Sequence, residues 1–270
     1  DAGPRVSAGH GRDGEQRAVA GGGIAASASA AVLGLEQLQQ LENQLLPGEG
    51  GIDKRLSSFF NSLYDVAVDP TSLSTRIIAM EQGKAVSDAF ADTALQLEKL
   101  KSNIASQMDD TLNAFNTLTF EMASVNEQIT SNGQSGTAPN AVLDLRDRVL
   151  TDIAKLATIS VDYSETGAAK VTLGSTGMGP TLVDGKTAAK LEHLIVNDKA
   201  LQLSVNTNGS KSSTNQASGG VVHGLLMSYG SVDETLSSLN QLAVKVTRDV
   251  NAQHRMGMTL ENVKGGDMFA

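Results

Sequence analysis

LEKLKSNIASQMDDTLNAFNTLTFEMASVNEQI, residues 97–129, is the run from which the architecture follows. Leu97, Leu100, Ile104, Met108, Leu112, Phe115, Leu118, Met122, Val125 and Ile129 recur at three or four positions. Their mean step is about 3.5, the seam of a coiled coil or a long bundle. From Ser72 to Thr130 there is no proline and a single glycine, Gly83, so one uninterrupted helix is expected. At 1.5 Å per residue it would measure on the order of 85 Å, an unusual rod for a compact enzyme.

Shorter helices flank it. Apolar residues at Val32, Leu35, Leu38, Leu41 and Leu45 predict a helix from Ile24 or Ala25, ended by Pro47-Gly48. A second runs from Ile52 to Val68 with a stripe of Leu56, Phe59, Phe60, Leu63 and Val66, stopped at Asp69-Pro70. Pro139-Asn140 opens a third, carrying Val142, Val149, Ile153 and Leu156, after a loop at 131–136. After Gly230, Val232, Leu236, Leu239, Ala243, Val246 and Val250 form a strict heptad seam, whose expected partner is the long helix.

Between these the period changes to two. Ile159, Val161 and Tyr163 alternate, a turn follows at Glu165–Gly167, and 170–173 returns. Residues 181–183, 191–196 and 201–205 are also strand-like, with 211–220 polar and loop-like. The expected fold is mainly α: an elongated helical bundle with long antiparallel helices and a small antiparallel β insertion. Its division is an irregular N-terminal segment at 1–24, bundle helices at 25–158, the β insertion at 159–217, and a closing helix with C-terminal loop at 218–270.

Composition narrows the function. Aromatics make up 3% and tryptophan is absent, which leaves few rings for stacking bases. A net charge of −9 opposes nucleic acid and anionic membrane surfaces alike. There is no cysteine, which removes disulfides, zinc–thiolate sites and thiol nucleophiles. No apolar run approaches the length needed to span a bilayer. The chain opens at Asp1 without methionine or signal peptide, so a fragment or processed product is expected.

The candidate chemical motifs have plain structural readings. Asp184-Gly185-Lys186-Thr187 looks like part of a phosphate loop, but that pattern needs glycine where Pro180 stands. A turn is expected instead. His10, His193, His223 and His254 are far apart in sequence, with no two spaced as metal ligands on one helix. His254 is expected to hydrogen-bond the closing loop. Asp109-Asp110 lies on the long helix as a solvated face. The triplet Asn208-Gly209-Ser210 carries no assigned role. Catalytic, cofactor and metal residues are therefore all expected to be none. The apolar stripes belong by default to the intramolecular core, with contact to neighbouring subunits as the sharper alternative.

Three local matches point to a family. Leu41–Leu46 (LENQLL) is followed by Leu56–Leu63 (LSSFFNSL) and then Asp69-Pro70-Thr71-Ser72. Leu143–Leu150 reads LDLRDRVL. Ser218-Gly219-Gly220 and Gly224-Leu225-Leu226 precede the last helix, which ends in Asn251–Phe269, NAQHRMGMTLENVKGGDMF. Over residues 25–269 these resemble the core domain of the hook-associated protein type 1 family, found at the hook–filament junction of the bacterial flagellum. The resemblance implies a structural subunit acting as a mechanical adaptor by lateral and axial packing, and no enzyme. It implies export through the flagellar channel, an extracellular location, and an export chaperone. Further implied partners are other copies of the chain, hook protein and the type 3 hook-associated protein. Another flagellar axial protein, flagellin or the type 3 protein, is the nearest alternative. A soluble coiled-coil signalling or adhesin module, dimerising through the 97–129 seam, is the alternative from another class.

Overall fold

Asp69-Pro70 and Pro139 bound helices where the sequence places them. The computed structural model describes residues 51–133, 139–197 and 200–270, together with Gln39 in helical conformation. The expectations for residues 1–24 and for the helix at 25–46 otherwise lie outside the described residues. Helix α1 spans Ile52–Val68, with Asp53 in its first turn complementing the positive helix end. Asp69 Oδ1 then accepts from Thr71 N at 3.3 Å, and Ser72 Oγ accepts from Thr75 N at 3.4 Å. The Asp-Pro-Thr-Ser break is thus an Asx turn followed by an N-cap.

Helix α2 runs from Leu73 to Gly133 without interruption. It passes the expected end, Thr130, by three residues. Helix α3 is Asn140–Leu156 and α4 is Gly220–Met256. The last helix therefore starts ten residues before the expected point. Val222, Leu225, Tyr229 and Val232 are all buried, so the heptad seam extends backwards through Gly230. Gly230 was a misleading stop signal; the true start is Gly220, at φ +77, where a Cβ would overlap the carbonyl of Leu156.

The chain forms two compact units. One comprises residues 103–230 among those described. It contains seven strands in two antiparallel sheets. The first sheet is β1 (Ile159–Tyr163), β2 (Ala169–Leu173), β3 (Thr181–Asp184) and β4 (Thr187–Ala188), in that order. The second is β5 (Lys190–Val196), β6 (Ala200–Thr207) and β7 (Ser210–Thr214). Asp184–Thr187 is the β3–β4 hairpin turn, with Asp184 paired to Thr187 and Gly185 at φ +55. Strand β7 replaces the polar loop expected from Lys211 onward. It pairs residue by residue with β6 from Thr207↔Ser210 to Leu203↔Thr214. Its Ser, Lys and Thr side chains carry no apolar alternation, so periodicity could not find this edge strand. The Asn208-Gly209 turn, with both residues at positive φ, could have.

The core of this unit includes Ile104, Met108, Phe115, Met122, Ile129, Ile153, Leu173, Leu182, Leu191 and Leu203. On α2 the buried seam is Met108, Leu112, Phe115, Thr119, Met122, Asn126 and Ile129. Leu118, expected in that seam, is only half-buried, and the polar Thr119 takes its place. Asn126, beside the buried Val125, holds the next strict heptad position.

The other unit comprises residues 51–102 and 231–270. Phe59, Ala79, Val86, Leu97, Leu100, Val232, Leu236 and Leu239 are buried in it. Lys101, 6% exposed, is paired with Asp233 at 2.6 Å, a part-buried ion pair. The α1 stripe is less covered than expected. Phe59 is buried, Leu56, Leu63 and Val66 are half-buried, and Phe60 is exposed.

Candidate functional site

Asn251, His254 and Arg255 stand at i, i+3 and i+4, so helix geometry puts them on one face of α4. That face holds the closing loop, residues 257–269. The Asn251 amide receives Met268 N–H and Phe269 N–H at Oδ1, at 2.8 and 2.9 Å, and donates from Nδ2 to Phe269 O at 2.7 Å. A side-chain amide here substitutes for a neighbouring strand. His254 Nδ1–H donates to Gly266 O at 2.7 Å, as the sequence led us to expect; a carbonyl only accepts, so the proton resides on Nδ1. Arg255 grips Asp267 with two nitrogens, Nη2 at 2.6 Å from Oδ2 and Nε against Oδ1. The hydrogen bond from Arg255 holds the Asp267 carboxyl below its ordinary range, and Asp267 raises Arg255 in return.

The loop is ordered internally as well. Gly265 N–H donates to Gly257 O at 3.0 Å, Thr259 N–H to Val263 O at 2.7 Å, and Met258 bridges Lys264. Gly265 lies so close to the His254 carbonyl that a Cβ would overlap it. At its end the loop docks on α1. The Phe269 ring meets Phe59 edge-on, with centroids 5.7 Å apart. A Cβ on Gly83 would sit 3.3 Å from the Phe59 ring and 3.7 Å from Met268 and Phe269. Gly83 of the long helix therefore makes room for this docking.

Beside the loop lies an apolar groove of about 910 Å³. Phe60 and Leu63 of α1, Met80 of α2, Val246 and Val250 of α4, and Met258 of the loop form much of its wall. Val246 and Val250 were expected in the core seam; here they are half-buried and face the groove. The same unit exposes Tyr64, Val68, Leu73 and Ile77. Several polar groups at the groove are already engaged. Arg76 donates to Pro70 O, Lys245 pairs with Asp249 at 2.9 Å, and His254 holds Gly266. Lys245, then Arg248, keeps the Asp249 carboxyl below its ordinary range. The wall offers burial for another apolar surface.

The remaining candidates lie in the other unit and do not converge. His193 Nε2–H donates to Asp109 Oδ1 at 2.8 Å. His223 Nδ1–H donates to Ala217 O at 3.0 Å. Asp110 is exposed on α2. His10 lies outside the described residues. Among the described residues, no three His, Asp or Glu side chains gather as a metal site, and no helix is long and apolar enough to cross a membrane.

Sequence reasoning missed three clamps that repeat the Asn251 device or resemble it. Asn116 donates to Leu191 O at 2.9 Å and accepts from Leu191 N at 2.8 Å. Asn126 donates to Ala169 O at 2.7 Å and Gly185 O at 3.0 Å, and accepts from Ala169 N at 2.8 Å. Arg146, in LDLRDRVL, is buried, donates to Gly167 O at 2.7 Å and lies 4.5 Å from the Tyr163 ring centre. The available signal was a lone asparagine on an otherwise apolar helix face.

Residues 38–269 match the model of the flagellar hook-associated protein FlgK helical domain. Flagellar hook-associated protein 1 of Bacillus subtilis (strain 168) is 26% identical over 260 residues, covering 87% of this chain and 51% of its own length. The protein of the same name from Salmonella typhimurium (strain LT2) is 24% identical over 249 residues, covering 87% and 43%. The flagellar hook junction protein FlgK from Burkholderia pseudomallei has the same fold, with a TM-score of 0.77 at 24% identity over 93% of this chain and 46% of that one. The chain thus spans about half the length of the curated relatives it matches.

Proposed function

Because this chain belongs to the family of the flagellar hook-associated protein FlgK helical domain, we propose that it is a structural part of the bacterial flagellum at the hook–filament junction. It acts as a mechanical adaptor, by lateral and axial packing, and catalyses no reaction. One observation carries this reading: the unit that holds the closing loop leaves an apolar groove and an apolar helix face open. A surface of that kind gains free energy by burial against another protein, at about 25 cal/mol per Å² of apolar area.

The packing partners in this reading are other copies of the chain, hook protein and the type 3 hook-associated protein. The subunit is held by an export chaperone, leaves through the flagellar channel and works outside the cell. Absence of cysteine suits that route, since no premature crosslink can form during passage. Residues 159–217 are read as a β insertion between helices α3 and α4.

The test is to place Phe60→Asp in the full-length protein. The variant should keep its helical circular dichroism and melting temperature, because Phe60 is 51% exposed, yet cells carrying it should fail to build filament on the hook. Normal filaments and swimming with this variant would refute the assignment of that face.

A further inference from the structure

Four of the eight methionines, Met80, Met256, Met258 and Met268, belong to the unit with the closing loop, and three of them line its groove. Met80 is 61% and Met258 63% exposed, whereas Met108 and Met122 in the other unit are wholly buried. With no cysteine in the chain, thioether sulfur is the only sulfur an oxidant can reach. We propose that Met80 and Met258 are oxidation sites for peroxide-class oxidants, and that their conversion to sulfoxides turns the apolar groove polar.

The chemistry is balanced by hydrogen peroxide alone. The sulfur lone pair attacks one peroxide oxygen, the O–O bond breaks and an S–O bond forms. The proton on the transferred oxygen passes to the departing hydroxide, which leaves as water. Sulfur loses two electrons and the peroxide gains them. Methionine sulfoxide reductase chemistry returns the thioether. A sulfoxide is a strong dipole and acceptor; Phe60, Leu63 and Val246 offer it no donor, so it turns to water or to polar side chains of the lining such as Lys245 and Gln253. Either way the groove loses apolar surface at Met80 and Met258. Any consequence for assembly rests on the functional reading above; the modification itself does not.

Peptide mapping after graded hydrogen peroxide, with an apolar fluorescent dye read in parallel, tests this on the full chain. Each oxidised peptide should gain one oxygen. Met80 and Met258 should convert together with Met178 and Met227, the exposed methionines of the other unit. Met108 and Met122 should convert last. Dye fluorescence should be lost in step with Met80 and Met258 and restored by the reductases. In Met80→Leu/Met258→Leu, which keeps an apolar wall, peroxide should leave dye binding intact while Met178 and Met227 still oxidise. Three results would overturn the proposal: Met80 and Met258 staying reduced while Met178 converts, dye binding surviving their oxidation, or equal dye loss in the leucine variant. If groove oxidation abolishes dye binding but full-length protein so treated still assembles, the functional reading of the groove fails and the modification stands.

Discussion

Replacing Asn251 by alanine tests whether one side-chain amide holds the closing loop. The change removes three hydrogen bonds, those to Met268 N, Phe269 N and Phe269 O. Asn251 is 7% exposed, while Met268 and Phe269 are half-buried, so water can reach the orphaned groups once the loop shifts. The cost is then about 1 kcal/mol per bond rather than the larger penalty of a dry unsatisfied group, or about 2–3 kcal/mol in all. Since 1.4 kcal/mol is a factor of ten, local opening of residues 266–269 should increase roughly 30- to 150-fold. Native-state hydrogen exchange of a C-terminal peptide reads this directly, and α2 peptides serve as the internal reference. Asn251→Asp keeps the acceptor for both N–H groups but sets an anion against Phe269 O, so exchange should rise less than in the alanine variant. Unchanged exchange at Met268 and Phe269 in Asn251→Ala, or an equal rise in every helix, would refute the clamp.

Gly230→Ala should raise the melting temperature, by about 0.5–1 kcal/mol of added stability, because no atom lies within 4 Å of the new Cβ in mid-helix; Gly83→Ala should gain nothing or lose, since its Cβ meets Phe59 at 3.3 Å, and thermal unfolding of the pair separates helix propensity from packing. Arg146→Lys should cost about 1–2 kcal/mol in denaturant unfolding, because a lysine cannot reach Gly167 O and stack on Tyr163 at once. His254→Ala should speed exchange around Gly266 and lower the melting temperature slightly, through loss of one bond. Asp267 has a depressed carboxyl value in the folded chain, so its contribution to loop docking is fully present above the ordinary 3.8 and is lost as pH falls through the lower folded value; Asp267→Asn should remove that acid-dependent rise in C-terminal exchange, and salt should weaken the pair at neutral pH.

The described helices were legible because burial imposes a period, and 97–129 carries it for nine steps. What failed were places where a residue's type and its role part company. Gly230 resembles a break, yet Tyr229 and Val232 bury on either side of it and carry the helix through. Strand β7 has no apolar face of its own; its place depends on the ladder that β6 offers. The asparagine clamps are the sharpest case. Scored by polarity, Asn116, Asn126 and Asn251 belong outside, and hydrophobic patterning chose Leu118 over Thr119 for that reason. An edge of sheet or a returning loop must nevertheless satisfy its backbone N–H and C=O groups where it meets a helix. A leucine cannot do that, and a lysine or glutamate serves only half of the pair. The carboxamide carries both a donor and an acceptor at peptide-like spacing, so it is the side chain that lets an apolar helix face accept bare backbone. Polar residues inside an apolar period are therefore not defects in the pattern. They mark the heights on α2 and α4 where non-helical chain must dock, and NAQHR announces the closing loop for the same reason that Asn116 and Asn126 announce β5 and β2.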